Sequence, residues 1–280
     1  MVKQAVIFIH GVGNQSAGYS NETVDLIESY TQKYLNKALE KQTVEETRIV
    51  YREVFWAPIT ARAQKNLWAR MSRGHDLDLT KLRRFIIDFA GDALSYYKQN
   101  EKGVYEQIHN TIDAEIQLIF DEFPEDQIEF TIVGHSLGSV VASNYLYDCS
   151  DKLTATNFFT LGSPIAIWLL NEGDVSKPNC PVQVQRPQGI WVNILDDEDI
   201  VGCPLRNVNR HYRKAVDKDV VTEIGGLTKL GPLSHVGYWK DKYVINSIAR
   251  KLAMDYLRIN NNIPFNRQSY LKSLDSRWSL

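Results

Sequence analysis

The chain has 280 residues, of which 44% are hydrophobic and 24% charged, and its formal net charge is −2. Such values are typical of an ordinary globular protein that is long enough to bury a sizeable core. They exclude a strongly basic nucleic-acid binder, so we expect no nucleic-acid partner. The three cysteines (Cys149, Cys180 and Cys203) match no zinc pattern and are too few for a disulfide framework.

The apolar run near the start of the chain, AVIFI, is short and ends in histidine and glycine. No later stretch approaches the eighteen or so consecutive apolar residues that a membrane-spanning helix needs. We therefore expect neither a membrane span nor a signal peptide, and a cytoplasmic location.

Apolar β-branched runs alternate with segments whose apolar residues recur at helical spacing. In chain order, the predicted elements are a strand at Ala5–Ile9, a helix at Glu22–Lys41, a strand at Arg48–Trp56, a helical region at about 59–123, a strand at Gln127–Val133, a helix at Ser136–Tyr147, strands at Thr156–Gly162 and Gly189–Leu195, and a helix at Lys240–Leu257. This alternation indicates a mainly parallel central sheet flanked by helices. We predict one α/β domain over residues 1–260, with 59–123 as a helical insertion and 261–280 as a surface-packed tail.

The segment EFTIVGHSLGSVVASNYL contains the pattern G-x-S-x-G around Ser136, between a predicted strand and a predicted helix. A serine on so sharp a turn has a strained backbone and an exposed hydroxyl, and the neighbouring backbone segments nearly touch. Gly134 and Gly138 have no Cβ to collide there. The pattern predicts Ser136 as a nucleophile; the alternative is a helix-capping serine in an ordinary turn.

A serine nucleophile needs a base, and in this type of site the chain order is serine, acid, histidine. Four of the six histidines precede the serine or adjoin it, and the side chain of the adjoining His135 is expected to point away. His211 lies in a basic stretch typical of a solvated surface, whereas His235 lies in a loop directly before the last helix. We therefore predict His235 as the base; the alternative is a loop histidine bound to backbone.

Four carboxylates follow the predicted strand that ends at Leu195: Asp196, Asp197, Glu198 and Asp199. One buried carboxylate suffices to orient an imidazole, and four cannot all be buried unpaired. Asp199 is favoured because it precedes the apolar pair Ile200–Val201, where the chain should turn inward. Asp196 and Asp197 stay open as alternatives, and no metal site is expected.

An oxyanion hole needs two backbone N–H groups directed at the developing charge. Leu137 follows the nucleophile, and the early loop HGVGN offers Val12 between Gly11 and Gly13, whose backbones could approach a substrate closely. This loop matches neither the phosphate loop nor the dinucleotide fingerprint, so we expect no cofactor.

Four blocks, IFIHGVGNQ, FTIVGHSLGSVVASNYL, FFTLGSPIAIW and WVNILDDEDIVGCPL, precede SHVGYW. Together they resemble serine hydrolases of the α/β-hydrolase fold, over most of residues 3–257, and within them the lipase-like and DDHD-type phospholipase branch. That branch carries its acid in a D-P-V-A-like segment, matched here by residues 199–202 without the proline. The resemblance implies the α/β-hydrolase fold.

It further implies an esterase or lipase that acts on an acyl-ester small molecule or lipid, including phospholipids and lysophospholipids, through Ser136, His235 and Asp199. An acyltransferase or thioesterase would use the same triad. A catalytically silent binding protein could share the fold, although such a relative would be expected to have lost a triad member.

The predicted insertion is basic between residues 61 and 84, with seven Lys and Arg side chains against two Asp. Aromatic and aliphatic residues are interleaved with them. Residues 61–87 fit a lid or a peripheral membrane contact, but a solvated helix face that covers the core fits them equally and is the favoured interpretation.

Overall fold

The computed structural model describes residues 2–12, 15–39, 49–71, 80–97, 103–172, 182–224, 235 and 237–275. Within these residues one sheet contains the strands β1 (Val2–Ile9), β2 (Ile49–Val54), β3 (Gln127–His135), β4 (Asn157–Leu161), β5 (Ile190–Leu195) and β6 (Lys218–Val221). The strand order is β2-β1-β3-β4-β5-β6, and every neighbouring pair is parallel.

The central strands are apolar on both faces because helices cover both sides of the sheet. Successive side chains of a strand point to opposite faces. In β1, Val6 and Phe8 therefore pack into one hydrophobic cluster, while Ile7 and Ile9 pack into the other. The core is thus two apolar layers separated by the sheet.

Helices on both faces account for most of the remaining described chain: α1 (Asn21–Ala38), α2 (Ala57–Met71), α3 (Thr80–Ser95), α4 (Val104–Glu122), α5 (Leu137–Asp148), α6 (Ile165–Trp168), α7 (Arg210–Ala215), α8 (Lys242–Asn261) and α9 (Arg267–Ser273). The layer with Val6 and Phe8 contains apolar residues of α1, α8 and α9, and the other contains those of α4 and α5. None of the described helices has the length and apolar character to cross a membrane.

The predicted fold class is confirmed. The sheet is wholly parallel, helices flank it, and α2, α3 and α4 form a helical segment before the strand that leads to Ser136. Each predicted strand is present with its ends shifted by a few residues.

Four short elements were missed by the sequence patterns: β6, α6, α7 and α9. β6 spans four residues, KDVV, of which two are charged, so neither an apolar run nor a clear alternation marks it. α9 lies in the predicted tail, and it buries the Tyr270 ring, whose hydroxyl donates to the carbonyl of Ser247.

The strand order reverses direction between β1 and β3. In such sheets the loops at the carboxyl ends of these two strands leave in opposite directions and open a crevice between them. The loop that contains Gly11 and Val12 follows β1, and Ser136 follows β3. The fold therefore brings the two predicted halves of the site to one crevice.

Candidate active site

Ser136 alone forms the turn between β3, which ends at His135, and α5, which begins at Leu137. Its backbone has φ 52° and ψ −132°, a conformation that costs a non-glycine residue about 1–3 kcal/mol. The turn is held on one side by the Ser136 N–H, which donates to the carbonyl of Leu161 on β4 at 2.9 Å. This is the nucleophile-elbow geometry of the α/β-hydrolase fold.

The predicted supporting glycines lie where backbone segments meet. A Cβ at Gly138 would collide with the carbonyl oxygens of Ile9 and His10, and a Cβ at Gly134 would lie 2.6 Å from the Cα of Ser139. At Gly11 an added Cβ would lie 2.5 Å from the Cβ of Ser136, so the loop after β1 passes directly beside the serine. Gly13 lies outside the described residues.

The structure brings the side chains of Ser136, His235 and Asp199 together. The Ser136 Oγ is 2.7 Å from His235 Nε2, and His235 Nδ1 is 2.9 and 2.8 Å from the two carboxylate oxygens of Asp199. Because a carboxylate only accepts, Nδ1 carries the proton and Nε2 offers its lone pair to the serine hydroxyl. Ser136 is 0% and His235 1% exposed, so the hydrogen bonds form away from bulk water.

Asp199 is held ionised. Burial opposes its charge, but the hydrogen bond from His235, the nearby His235 ring and further donors outweigh it and lower the pKa of the carboxyl to about 2. The Val201 N–H and the Tyr238 hydroxyl are each 2.9 Å from its oxygens. The group therefore contributes to stability above its unfolded-state pKa, and this contribution is lost as the pH falls towards 2.

The other candidate acids do not contact His235. Asp196 is buried, but its oxygens accept the N–H groups of Glu198 at 2.8 Å and Ile224 at 2.6 Å. Asp197 is exposed. Among the three aspartates left open by the sequence, the structure thus brings only Asp199 to the imidazole.

Tyr238 is a site residue that sequence reasoning missed. Its buried hydroxyl accepts the Asp196 N–H at 2.8 Å and donates to Asp199, so it ties both ends of the acidic turn to the segment after His235. Gly162 packs against both partners, because a Cβ there would lie 2.8 Å from the carboxylate and from the tyrosine ring. The only sequence signal was the position of Tyr238 in the SHVGYW block.

His10 orients the loop after β1. Its Nδ1 lies 2.7 Å from the carbonyl of Gly11 and must donate, while its Nε2 accepts the N–H groups of Trp56 at 3.2 Å and Ala57 at 3.3 Å. Burial lowers the pKa of His10 to about 4, which keeps the ring neutral. Since the peptide is planar and trans, the Val12 N–H points away from the side on which His10 holds the Gly11 carbonyl.

His211, the other histidine that follows Ser136, forms a different hydrogen bond. Its Nε2 accepts from the Nε of its neighbour Arg210 at 3.1 Å. Across the described residues, no group of three or more His, Cys, Asp or Glu side chains could hold a metal ion.

No protein-family model matches the chain, and no curated protein is similar to it. Among solved structures it is similar to a cutinase-like protein from Cryptococcus sp., with 12% identity over 91% of this chain and 95% of that one, at a TM-score of 0.42. It is also similar to phospholipase PlaB from Legionella pneumophila, solved in complex with thio-NAD, with 10% identity and a TM-score of 0.38.

The match to PlaB covers 98% of this chain and 61% of that one. A third similar structure is Est1E from Butyrivibrio proteoclasticus, with 8% identity over 91% of this chain and 88% of that one and a TM-score of 0.35.

The close approach at Gly138 predicts that Gly138→Ala will destabilise the fold by at least about 3 kcal/mol, because backbone carbonyls cannot move aside as a side chain would. Gly91→Ala on α3 is the matched control. A Cβ there lies 3.4 Å from the Gln64 side chain, an ordinary contact, so better helix propensity should leave stability unchanged or raised by about 1 kcal/mol. Urea unfolding of both variants measures the difference, and equal stability of both would contradict the packing argument.

Proposed function

We propose that the chain is a serine hydrolase that cleaves carboxylic esters through an acyl-enzyme. The observation that carries the proposal is the continuous hydrogen-bonded series from the Ser136 hydroxyl through His235 to Asp199, at 2.7 Å and 2.8–2.9 Å. These distances match what a nucleophile and its general base require. The strained serine backbone supports the same reading, since strain of this kind concentrates at reactive sites.

In the first half-reaction the Ser136 Oγ attacks the ester carbonyl while His235 Nε2 takes its proton. Asp199 stabilises the imidazolium that forms and does not itself take the proton. The carbonyl oxygen becomes an oxyanion, for which we propose the N–H groups of Leu137 and Val12 as donors. The oxyanion then collapses, the bond between the acyl carbon and the alcohol oxygen breaks, and His235 returns the proton to the leaving alcohol.

In the second half-reaction water attacks the acyl-enzyme. His235 takes a proton from the water, the carbonyl oxygen again becomes an oxyanion, and the bond between the acyl carbon and Ser136 Oγ breaks as the proton passes to Oγ. The acid product leaves and the serine is restored.

Transfer to another acceptor, or cleavage of a thioester, would use the same acyl-enzyme, because the acceptor is chosen by the pocket and by water access. Incubating the protein with a p-nitrophenyl ester and glycerol separates the alternatives by their products. Free acid in step with p-nitrophenol supports hydrolysis, and a glyceryl ester supports transfer.

A fluorophosphonate probe is expected to label the wild-type protein at Ser136, since the paired imidazole activates that hydroxyl. Labelling and ester hydrolysis should both be abolished in Ser136→Ala. Ser143→Ala, which removes another buried serine of α5, is the matched control and should keep both. Full labelling of Ser136→Ala by mass spectrometry would refute the assignment of the nucleophile, and no labelling of the wild type would favour a silent binding protein.

Replacing each of the three aspartates by asparagine is expected to change kcat by different amounts. Asp199→Asn should lower kcat by about 10⁴-fold, because the amide favours the wrong imidazole tautomer. Asp197→Asn should leave kcat unchanged, since Asp197 is exposed.

Asp196→Asn should lower the melting temperature more than kcat, because the carboxylate of Asp196 caps the N–H groups of Glu198 and Ile224. Steady-state kinetics with a short p-nitrophenyl ester decide the assignment. A larger kcat loss in Asp196→Asn or Asp197→Asn than in Asp199→Asn would assign the catalytic acid to that residue instead of Asp199.

We further propose that the substrate is a lipid ester, as in the lipase-like and DDHD-type phospholipase branch that the sequence blocks resemble, and that α2 contacts the membrane surface. In the described part of 61–87, Lys65 and Arg70 are exposed and Leu67 is 49% exposed. Basic residues near an anionic leaflet contribute about 1 kcal/mol each to binding.

The double variant Lys65→Gln/Arg70→Gln is therefore expected to bind phosphatidylglycerol-containing vesicles about 30-fold more weakly than wild type. The matched control is Lys33→Gln/Lys37→Gln, which removes the same charge from exposed positions of α1 on the opposite face of the sheet. Co-sedimentation measures the binding. Equal binding of both double variants, or binding that ignores the anionic lipid content, would count against the membrane contact.

A further inference from the structure

His135, the residue before the nucleophile, contacts the base directly. Its Nε2 lies 2.7 Å from the main-chain carbonyl of His235, and the two rings are 5.0 Å apart between centroids. A carbonyl only accepts, so Nε2 of His135 carries the proton and donates. The ring also packs edge-on against Trp239 at 5.5 Å. The side chain that was expected to point away from the serine therefore lies beneath the base.

Two consecutive residues at the end of β3 thus bind the same distant residue. Ser136 binds the imidazole of His235 through Nε2, and His135 binds its main-chain carbonyl. The position of the base is therefore fixed relative to the nucleophile itself.

The His135 ring also contains a buried polar atom that is not hydrogen-bonded to any described residue, which lowers the stability of the fold. Its buried Nδ1 has no hydrogen-bond partner within the described part of the chain, an omission that costs about 1–3 kcal/mol. An apolar ring would avoid that cost but would remove the hydrogen bond to the His235 carbonyl. Burial, and secondarily the nearby His235 ring, lower the pKa of His135 to about 3, so it adds no charge that would oppose an imidazolium 5.0 Å away.

We propose that His135 is a positioning residue that holds His235 in place for the second half-reaction, the hydrolysis of the acyl-enzyme. The inference rests on the proposed ester hydrolase function. In the acyl-enzyme Ser136 Oγ is bonded to the acyl carbon and has no hydrogen, so it no longer donates to His235. Residue 235 still donates from Nδ1 to the Asp199 carboxylate and still accepts the His135 N–H at its carbonyl.

His235 must nevertheless stay within reach of the attacking water, take its proton, and return that proton to Oγ as the acyl–oxygen bond breaks. A displacement of the base by about 1 Å can slow such a step about 100-fold. The contribution of His135 is therefore larger in this step than in acylation, during which the serine itself still binds the base.

The test compares His135→Phe, which keeps a ring but removes the donor, with His135→Gln, whose amide N–H can occupy the place of Nε2–H. For a p-nitrophenyl ester we expect kcat of His135→Phe to fall by about 10- to 100-fold, and kcat/KM, which reports acylation, to fall several-fold less. Acyl-enzyme should accumulate, which stopped-flow measurements record as a burst of p-nitrophenol. His135→Gln should recover kcat to within a few-fold of wild type.

His109 provides the matched control, because it is another buried histidine whose Nε2 is hydrogen-bonded, here to the Tyr96 hydroxyl at 2.8 Å. His109→Phe should lower the melting temperature without a burst.

Equal falls in kcat and kcat/KM for His135→Phe, or no recovery in His135→Gln, would overturn the positioning role while leaving the hydrolase intact. If His135→Phe does not fold, His135→Asn, whose shorter amide falls short of the carbonyl, replaces it. A wild-type protein with neither turnover nor probe labelling would overturn the hydrolase and this inference together.

Discussion

The close approach between the end of β1 and the start of α5 is the constraint on which the rest of the site depends. Only the missing Cβ of Gly138 allows the carbonyls of Ile9 and His10 to lie where they do. This contact sets how near the loop of Gly11 and Val12 comes to Ser136, and hence whether two N–H groups can face one reacting carbonyl. The strain of the serine backbone is sustained because β3 is hydrogen-bonded on both sides by parallel neighbours, which leave its end no freedom to relax.

Two neutral histidines, His10 and His135, hold the backbone around the site. His10 and His135 are both buried, and burial lowers the pKa of each, to about 4 and about 3. Each therefore has one donating and one accepting nitrogen, and each uses the donor to hold a carbonyl of the site. In the proposed reaction, charge is confined to Asp199, His235 and the oxyanion. In a buried site with weak screening, additional fixed charges would compete with the one that has to form.

Local sequence patterns predicted part of the fold and part of the candidate site. The need for glycine on both sides of Ser136 can be seen in the five-residue pattern G-x-S-x-G itself. The parallel class of the sheet follows from the alternation of apolar runs with segments of helical spacing. His235 was distinguished by chain order and by its place before a helix, and Asp199 by its apolar neighbours. His10, His135 and Tyr238 could not be found this way, because their distant partners lie between 39 and 100 positions away in sequence. β6 was missed because four residues contain too little periodicity.

The site divides into two supports bridged by the base. One is the end of β3 with the start of α5, which contains the proposed nucleophile, the proposed oxyanion donor Leu137 and the His135 donor in three consecutive residues. The other is the acidic turn after β5, where Tyr238 ties the Asp196 backbone to the Asp199 carboxylate. His235 has a hydrogen bond to each support, so a shift of one support relative to the other would lengthen one of its bonds. In the proposed reaction, formation of an acyl-enzyme removes the serine bond from the first support, and the His135 donor keeps a hydrogen bond from that support to residue 235.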